Sequence, residues 1–89
     1  MKAVITVIGE DKVGIIAKVT SVLAEDCINV LDISQTILDN YFTMIMITDI
    51  SKMSVNFKEL NIKLSELGAK IGVTIKIQHQ DIFNAMHKI

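Results

Sequence analysis

Residues 2–14 read Lys2-Ala3-Val4-Ile5-Thr6-Val7-Ile8-Gly9-Glu10-Asp11-Lys12-Val13-Gly14, and they join an apolar strand to the start of an amphipathic helix. The first amides of a helix have no intrahelical partners and carry the positive end of the helix dipole, so such a junction suits an anion such as a carboxylate. Gly14 has no side chain and allows a ligand to approach the backbone. The junction is therefore the first candidate binding site.

The spacing of apolar residues changes along the chain from two to 3.6 and back, which predicts the order strand, helix, strand, strand, helix, strand. The predicted strands cover residues 2–9, 28–38, 41–49 and 73–79, and Asp39-Asn40 forms a hairpin turn between the second and third. The first helix covers about 12–26 with Asp11 as its N-cap, and Ser54 caps a second helix that ends at Gly72. A short amphipathic turn or helix follows at 81–88. The apolar face of the first helix is predicted from Ile16, Val19, Val22 and Leu23, and that of the second from Phe57, Leu60, Leu64, Leu67 and Ile71.

The composition of the strands predicts their order in the sheet. Strands 2 and 4 alternate between apolar and polar residues, with Leu31, Ile33 and Ile37 on one face of strand 2, which is typical of edge strands. Strands 1 and 3 are apolar on both faces and belong in the centre. The result is an α+β, ferredoxin-like βαββαβ domain over 1–89, with sheet order 4-1-3-2 and two helices on one face. The other face needs a cover, which is the C-terminal segment from about residue 80, a second subunit, or both.

Composition excludes several classes of function. The chain of 89 residues is 51% hydrophobic with mean hydropathy +0.47, so its surplus apolar surface predicts a protein partner, most simply a second copy. Its net charge of −1 and the absence of arginine argue against nucleic acid binding. A single cysteine excludes an internal disulfide and paired-cysteine metal sites, and Cys27 is expected to be a small buried residue rather than a reactive thiol. No apolar run spans a bilayer or forms a secretory signal, which predicts a cytoplasmic protein.

Three stretches resemble one family. They are Val4 to Gly9 followed by Asp11-Lys12-Val13-Gly14-Ile15, then residues 29–36 (NVLDISQT), and finally residues 79–87 (HQDIFNAMH). Together they make the chain similar to the ACT domain, and above all to the small stand-alone bacterial and archaeal ACT-domain proteins related to glycine-cleavage regulators. The resemblance covers essentially the whole chain.

This resemblance implies a regulatory module that binds an amino acid at the junction of two copies, with no catalytic activity, cofactor or metal. On the first copy it implies amides of Gly14 to Ile16 that hold the ligand carboxylate, and on the second a polar group that faces them. The implied ligand-binding residues are Asp11, Val13, Gly14, Ile15, Ile16, Asn29 and Asp32. Asp11 or Asp32 would neutralise the ammonium, and Asn29 both donates and accepts hydrogen bonds. The resemblance implies a homo-oligomer, expected to be a dimer. Because the chain lacks the catalytic or DNA-binding domain that usually receives the signal, it is expected to act on a separate protein, or only to sense or sequester its ligand.

Each of these residues also has a structural interpretation. Asp11 serves equally well as a helix cap, Gly14 as a close-packing position, Asn29 as a turn residue and Asp32 as an edge charge that prevents aggregation. Met44 and Met46 are expected in the core rather than at a metal. His79 and His87 match no common ligand spacing and are expected in surface or interface roles.

Rival functions on the same fold remain open at this point. A structural interaction protein without a ligand is the main alternative, and sequence alone does not separate it from a sensor. A small phosphate-ester or acyl-phosphate hydrolase would need a cation clamp, for which only Lys12 is well placed. An RNA-binding module would need aromatic residues on both central strands, and strand 1 has none.

Overall fold

The predicted order of elements is confirmed, and a short third helix follows the last strand. The computed structural model describes residues 1–10 and 13–86. The elements are β1 (Lys2–Glu10), α1 (Ile15–Glu25), β2 (Asn29–Leu38), β3 (Tyr41–Asp49), α2 (Phe57–Ile71), β4 (Val73–His79) and α3 (Gln80–Met86). The last residues of the predicted 81–88 helix lie outside the described part. No helix within 1–10 and 13–86 is long and apolar enough to cross a membrane.

The four strands form one antiparallel sheet in the order β2-β3-β1-β4, as predicted. Both helices pack on the same face, where the buried side chains of β1 and β3 include Ile5, Val7, Met44 and Met46. Both methionines are fully buried, so their assignment to the core is confirmed. From the helices, Ile15, Val19, Leu23, Leu60 and Leu64 complete this core.

Both helices begin later than predicted. The N-cap position of α1 is Gly14, so a start at residue 12 with Asp11 as N-cap is wrong, and Asp11 itself lies outside the described residues. The later start also shifts the buried face, which contains Ile15 while Ile16 is exposed.

The cap of α2 is Asn56 rather than Ser54. Its Oδ1 accepts a hydrogen bond from the Glu59 amide at 2.8 Å, and its Nδ2 donates to Glu59 Oε1 at 2.9 Å. Glu59, three positions after Asn56, thus forms a reciprocal pair of hydrogen bonds with the cap residue, similar to a capping box. The amide of Ser54 donates instead to the Asp26 carbonyl at 2.9 Å.

Local turn signals were correct at two of three turns. Asp39-Asn40 does form the hairpin turn, with Asp39 at φ 58°, and Gly72 ends α2 at φ 80°. The expectation that Cys27 is buried is wrong, because it occupies the turn between α1 and β2 at φ 60° and is exposed. At that turn the neighbouring Asp26 and Ile28 are the buried residues.

A bulge at Leu31 changes the face pattern of β2. Val30 pairs with Thr48 while Asp32 pairs with Ile47, so Leu31 is the extra residue. Ile33 and Ile37 share a face, as predicted, and because they pair with Met46 and Phe42 this is the helix-covered face, but Leu31 leaves this alternation. The helices do not reach this edge, and Ile33 and Ile37 remain 42% and 56% exposed.

The face away from the helices is covered only in part. Val4 belongs to this face, since it pairs with Ile47 and Gln78, yet it is 1% exposed. Because α3 packs against β1 and β4, it covers that end of the face. Farther along the same face Ile8, Leu38 and Tyr41 stay exposed, so the C-terminal helix leaves apolar surface for a further cover.

Gly68 permits the close approach of α2 to β4. A Cβ atom at this position would lie 2.6 Å from the Val73 carbonyl oxygen and 3.3 Å from Ile75 Cγ1. Since the nearest atom belongs to a strand backbone, it has little freedom to move away.

We expect Gly68→Ala to lower the free energy of unfolding by about 1–2 kcal/mol, because overpacking outweighs the gain in helix propensity. Urea unfolding measures the effect. Ser65→Ala, at an exposed position of the same helix, serves as control and should change stability by less than about 0.5 kcal/mol. A Gly68→Ala variant as stable as the wild type would contradict this close packing.

An ion pair joins α2 to the end of α1. Lys63 Nζ donates to both carboxylate oxygens of Asp26 at 2.9 Å, and the Asp26 side chain is buried. The hydrogen bond to Asp26 raises the pKa of Lys63 above its ordinary value of 10.5. The stability from this pair is therefore fully present below the unfolded pKa and is lost as pH rises through the folded pKa.

We expect Lys63→Met to flatten the alkaline loss of stability. The free energy of unfolding is measured at neutral pH and above about pH 11, and the wild type should fall more steeply than the variant. Lys58→Met removes an exposed lysine of the same helix and should keep the wild-type slope. Equal slopes for wild type and Lys63→Met would show that the pair contributes nothing.

Candidate functional site

The start of α1 offers helix amides that its own cap residue leaves open. Gly14 lies at φ 90°, in the left-handed region that favours glycine, and its carbonyl accepts a hydrogen bond from the Lys18 amide at 3.0 Å. It has no side chain to bond the first amides of the helix, as Asn56 does in α2. Among residues 1–10 and 13–86, a Cβ at Gly14 would meet no atom within 4 Å, so the described residues leave this side of the backbone open. The geometry suits a small anion.

The predicted residues of this loop have different surroundings. Val13 and Ile16 are exposed, and their side chains are available to a ligand or to a second chain. Ile15 is 3% exposed and belongs to the core, so only its backbone amide is available to a ligand. The predicted contribution of Asp11 lies outside the described residues.

The predicted strand residues Asn29 and Asp32 are exposed near the start of β2. Asp32 pairs with Ile47, which pairs with Val4, whereas the loop follows Glu10, six residues farther along β1. Six residues of strand span about 20 Å. Within one protomer the loop and the strand residues therefore lie at opposite ends of the sheet. Asp32 also belongs to the face away from the helices, because it pairs with Ile47, which lies on that face.

Titratable groups near the strand residues have structural partners. Asp49, which pairs with Asn29 across the sheet, accepts hydrogen bonds from the Ser51 hydroxyl at 2.6 Å and from the Ser51 amide at 2.9 Å. These bonds lower the pKa of Asp49 below its ordinary value. Asp49 therefore remains ionised at neutral pH and serves to hold the turn after β3.

The histidines do not assemble a metal centre among the described residues. His79 stacks on Phe57, with ring centroids 4.2 Å apart, and this contact ties the end of β4 to the start of α2. His87 lies outside the described part. Within 1–10 and 13–86, no group of three or more His, Cys, Asp or Glu side chains could hold a metal ion.

Sequence reasoning missed two lysines beside the loop. A cavity of about 190 Å³ is lined by Val13, Ile15, Lys18, Lys70 and Ile71, and it adjoins a larger cavity between the helices. The signal was present in the predicted topology, since helices on one face of a βαββαβ sheet run antiparallel and place the start of the first beside the end of the second. Lys18 follows the first residues of α1 and Lys70 lies in the last turn of α2.

Comparison with known proteins agrees with the fold and extends along the whole chain. The family model described as the ACT domain matches residues 2–78. A UPF0237 protein of Clostridium acetobutylicum is 61% identical over the full length of both chains.

Two solved structures are also similar. An ACT domain protein from Streptococcus pneumoniae is 45% identical with a TM-score of 0.82, and the match covers 98% of each chain. A protein described as a glycine cleavage system transcriptional repressor shares the fold, with a TM-score of 0.74 at 22% identity, over 89% of this chain and 45% of that one. The family match, the full-length relative and the shared sheet order lead to one conclusion: the chain belongs to the ACT domain family, and within it to the small stand-alone proteins of the UPF0237 group.

Proposed function

We propose that this protein is a cytoplasmic sensor that binds an amino acid at the junction of two identical subunits and regulates a separate protein. It has no catalytic activity in this proposal. ACT domains are typically regulatory and bind small molecules, and the family match supports that general role. The ligand, the dimer and the regulated partner are the specific content of the proposal.

One observation carries it: the two halves of the predicted site lie at opposite ends of the sheet in a single protomer. Two protomers related by a two-fold axis through antiparallel β2 edges would bring each half to the same end of the joined sheet as the other half, three strand spacings or roughly 14 Å apart. Asp32 would then lie next to the partner's Leu38, in the same row as the partner's Tyr41 and Glu10. The partner's Gly14 loop follows Glu10, so the site would be complete only in the dimer.

The free edge of β2 has a self-complementary pattern that supports this pairing. Residues 31–38 are all exposed, and the bulge at Leu31 limits regular pairing to the segment after it. With Gln35 on the two-fold axis, each Ile33 faces the partner's Ile37. Ser34 then faces the partner's Thr36 on the other face. A shift of the partner strand by two residues in either direction would no longer place Ile33 opposite Ile37. A shift by one residue would place residues from opposite faces of the sheet across from each other.

The chemistry of the junction suits a zwitterion. The open amides at Gly14 to Ile16 would hold the carboxylate, while Asp11 of the same loop or the partner's Asp32 would neutralise the ammonium. The side chain of the partner's Asn29 offers both a donor and an acceptor. Val13 and Ile16 supply exposed apolar surface for the ligand side chain.

We expect one amino acid to raise the melting temperature of the protein saturably in a thermal-shift screen. A ligand at about 100 times its Kd stabilises the native state by about 2.7 kcal/mol. Gly14→Val should abolish this rise, because the larger side chain occupies the open side of the loop, and Asn29→Ala should weaken it without altering the oligomeric state.

Gly72→Val is the matched control for Gly14→Val. Both positions have a left-handed backbone, at φ 80° and 90°, so both variants carry similar strain of about 1–2 kcal/mol. Only Gly14→Val should lose the ligand response. Normal binding by Gly14→Val would place the site elsewhere, and no response to any amino acid at millimolar concentration would favour an interaction protein without a ligand.

We expect a charge swap across β2 to report the proposed register. Ile33→Glu and Ile37→Lys should each weaken the dimer when introduced alone, because each places a charge against an apolar residue. The double variant should regain affinity, since each new carboxylate faces a new ammonium of the partner. Two such cross-strand pairs are worth about 1 kcal/mol together, or roughly fivefold in Kd.

Sedimentation equilibrium at low and high salt measures these dissociation constants. The recovery should shrink as salt increases, because exposed ion pairs are screened. Gln35→Glu places two like charges together at the axis and should weaken the dimer alone. Strictly additive losses in the double variant would exclude this register.

A further inference from the structure

A groove between α1 and α2 lies in the helix layer, and the proposed junction does not use it. It has a volume of about 350 Å³, which falls within the range of small-molecule sites. Its walls are Ala17, Lys18 and Ser21 from α1, and Leu67, Lys70 and Ile71 from α2. All six residues belong to one protomer, so the groove is complete without a second chain.

The charges around the groove have one sign. Lys18 and Lys70 line both this groove and the adjoining cavity of about 190 Å³, and no described residue that lines either cavity is acidic. The ion pairs within 1–10 and 13–86 are Lys63 with Asp26 and the N-terminal amine with Asp49, so neither groove lysine takes part in them. Two ammonium groups therefore border one space without a described counter-charge.

The position of Lys18 adds to this positive field. It is the fourth residue of α1, close to the positive end of the helix dipole, where a cation is unfavourable. Lys70, in contrast, lies in the last turn of α2, where a cation is favourable. The dipole of its own helix therefore does not stabilise the Lys18 cation, whereas the dipole of α2 stabilises that of Lys70.

The remaining walls define the rest of the ligand. Leu67 and Ile71 are partly buried against the core and present an apolar floor, and Ala17 leaves room above it. The Ser21 hydroxyl supplies a further hydrogen-bond donor at the rim. We propose that this groove binds a small organic anion, with its acidic group between Lys18 and Lys70 and its hydrocarbon part against Leu67 and Ile71.

The test is a titration of the ¹⁵N-labelled protein followed by two-dimensional NMR. The probes are glutarate, inorganic phosphate and the neutral glutaramide. Glutarate should shift the amide signals of 17–21 and 67–71 saturably at millimolar concentrations. Phosphate should act on the same amides more weakly because it lacks the hydrocarbon part, and glutaramide should have no effect.

Variants of the two groove lysines test whether their ammonium groups bind the acidic group of the ligand. Lys18→Met and Lys70→Met should each raise the glutarate Kd by about three- to fivefold, as expected for exposed ion pairs. Lys58→Met removes an exposed lysine of α2 outside the groove and should leave the Kd unchanged. An equal effect of all three variants would show binding by net charge alone and would overturn the proposal, as would saturable shifts confined to other residues or no saturable shift.

The result is separable from the sensor proposal. Asn29→Ala should weaken the amino acid response and leave glutarate binding unchanged. Glutarate binding at the groove in a protein that responds to no amino acid would support the groove and contradict the sensor. Loss of glutarate binding in Asn29→Ala would show that the groove is not an independent site.

Discussion

The central strands β1 and β3 carry apolar side chains on both faces, and two helices bury only one of these faces. The other face of the sheet therefore needs a further element or a second chain to bury its apolar residues. On the helix side the core is closed by Val19, Leu23, Leu60 and Leu64. On the other side α3 covers Val4 but leaves Ile8 and Tyr41 exposed. A chain of this size has too little material to enclose a sheet on both faces, so the remaining apolar surface favours association.

The two long helices begin in different ways, because only α2 has a side-chain cap at its N-cap position. At α2 the Asn56 side-chain oxygen accepts a hydrogen bond from the Glu59 backbone amide, and its side-chain nitrogen donates to the Glu59 carboxylate. At α1 the cap residue is a glycine in a left-handed conformation with open space beside it. The side chain of Asn56 therefore caps α2, whereas Gly14 provides no side-chain cap for the first amides of α1.

Much of the fold was predictable because the deciding signals are local or periodic. A continuous apolar run defined the limits of β3 and clean alternation those of β4, and Asp39 and Gly72 mark positions with a left-handed backbone. The errors arose where two local solutions compete. Ser54 and Asn56 are both good caps, and the choice depended on Glu59. Cys27 is an apolar residue, but it lies at the tip of a turn and is exposed, whereas the neighbouring Asp26 and Ile28 are buried.

Local sequence patterns alone indicated only the loop part of the candidate site, since a glycine before a helix is a local pattern. The strand residues Asn29 and Asp32 were predicted only through the resemblance to a family. Sequence by itself determined the sheet order, the burial of Met44 and Met46 and the turn at Asp39-Asn40, because apolar periodicity and turn chemistry act over a few residues. Tertiary structure alone decided the bulge at Leu31 and the distance of about 20 Å between Asp32 and the loop end of β1. These features depend on contacts between residues far apart in the chain, where packing and register, rather than local preference, determine the arrangement.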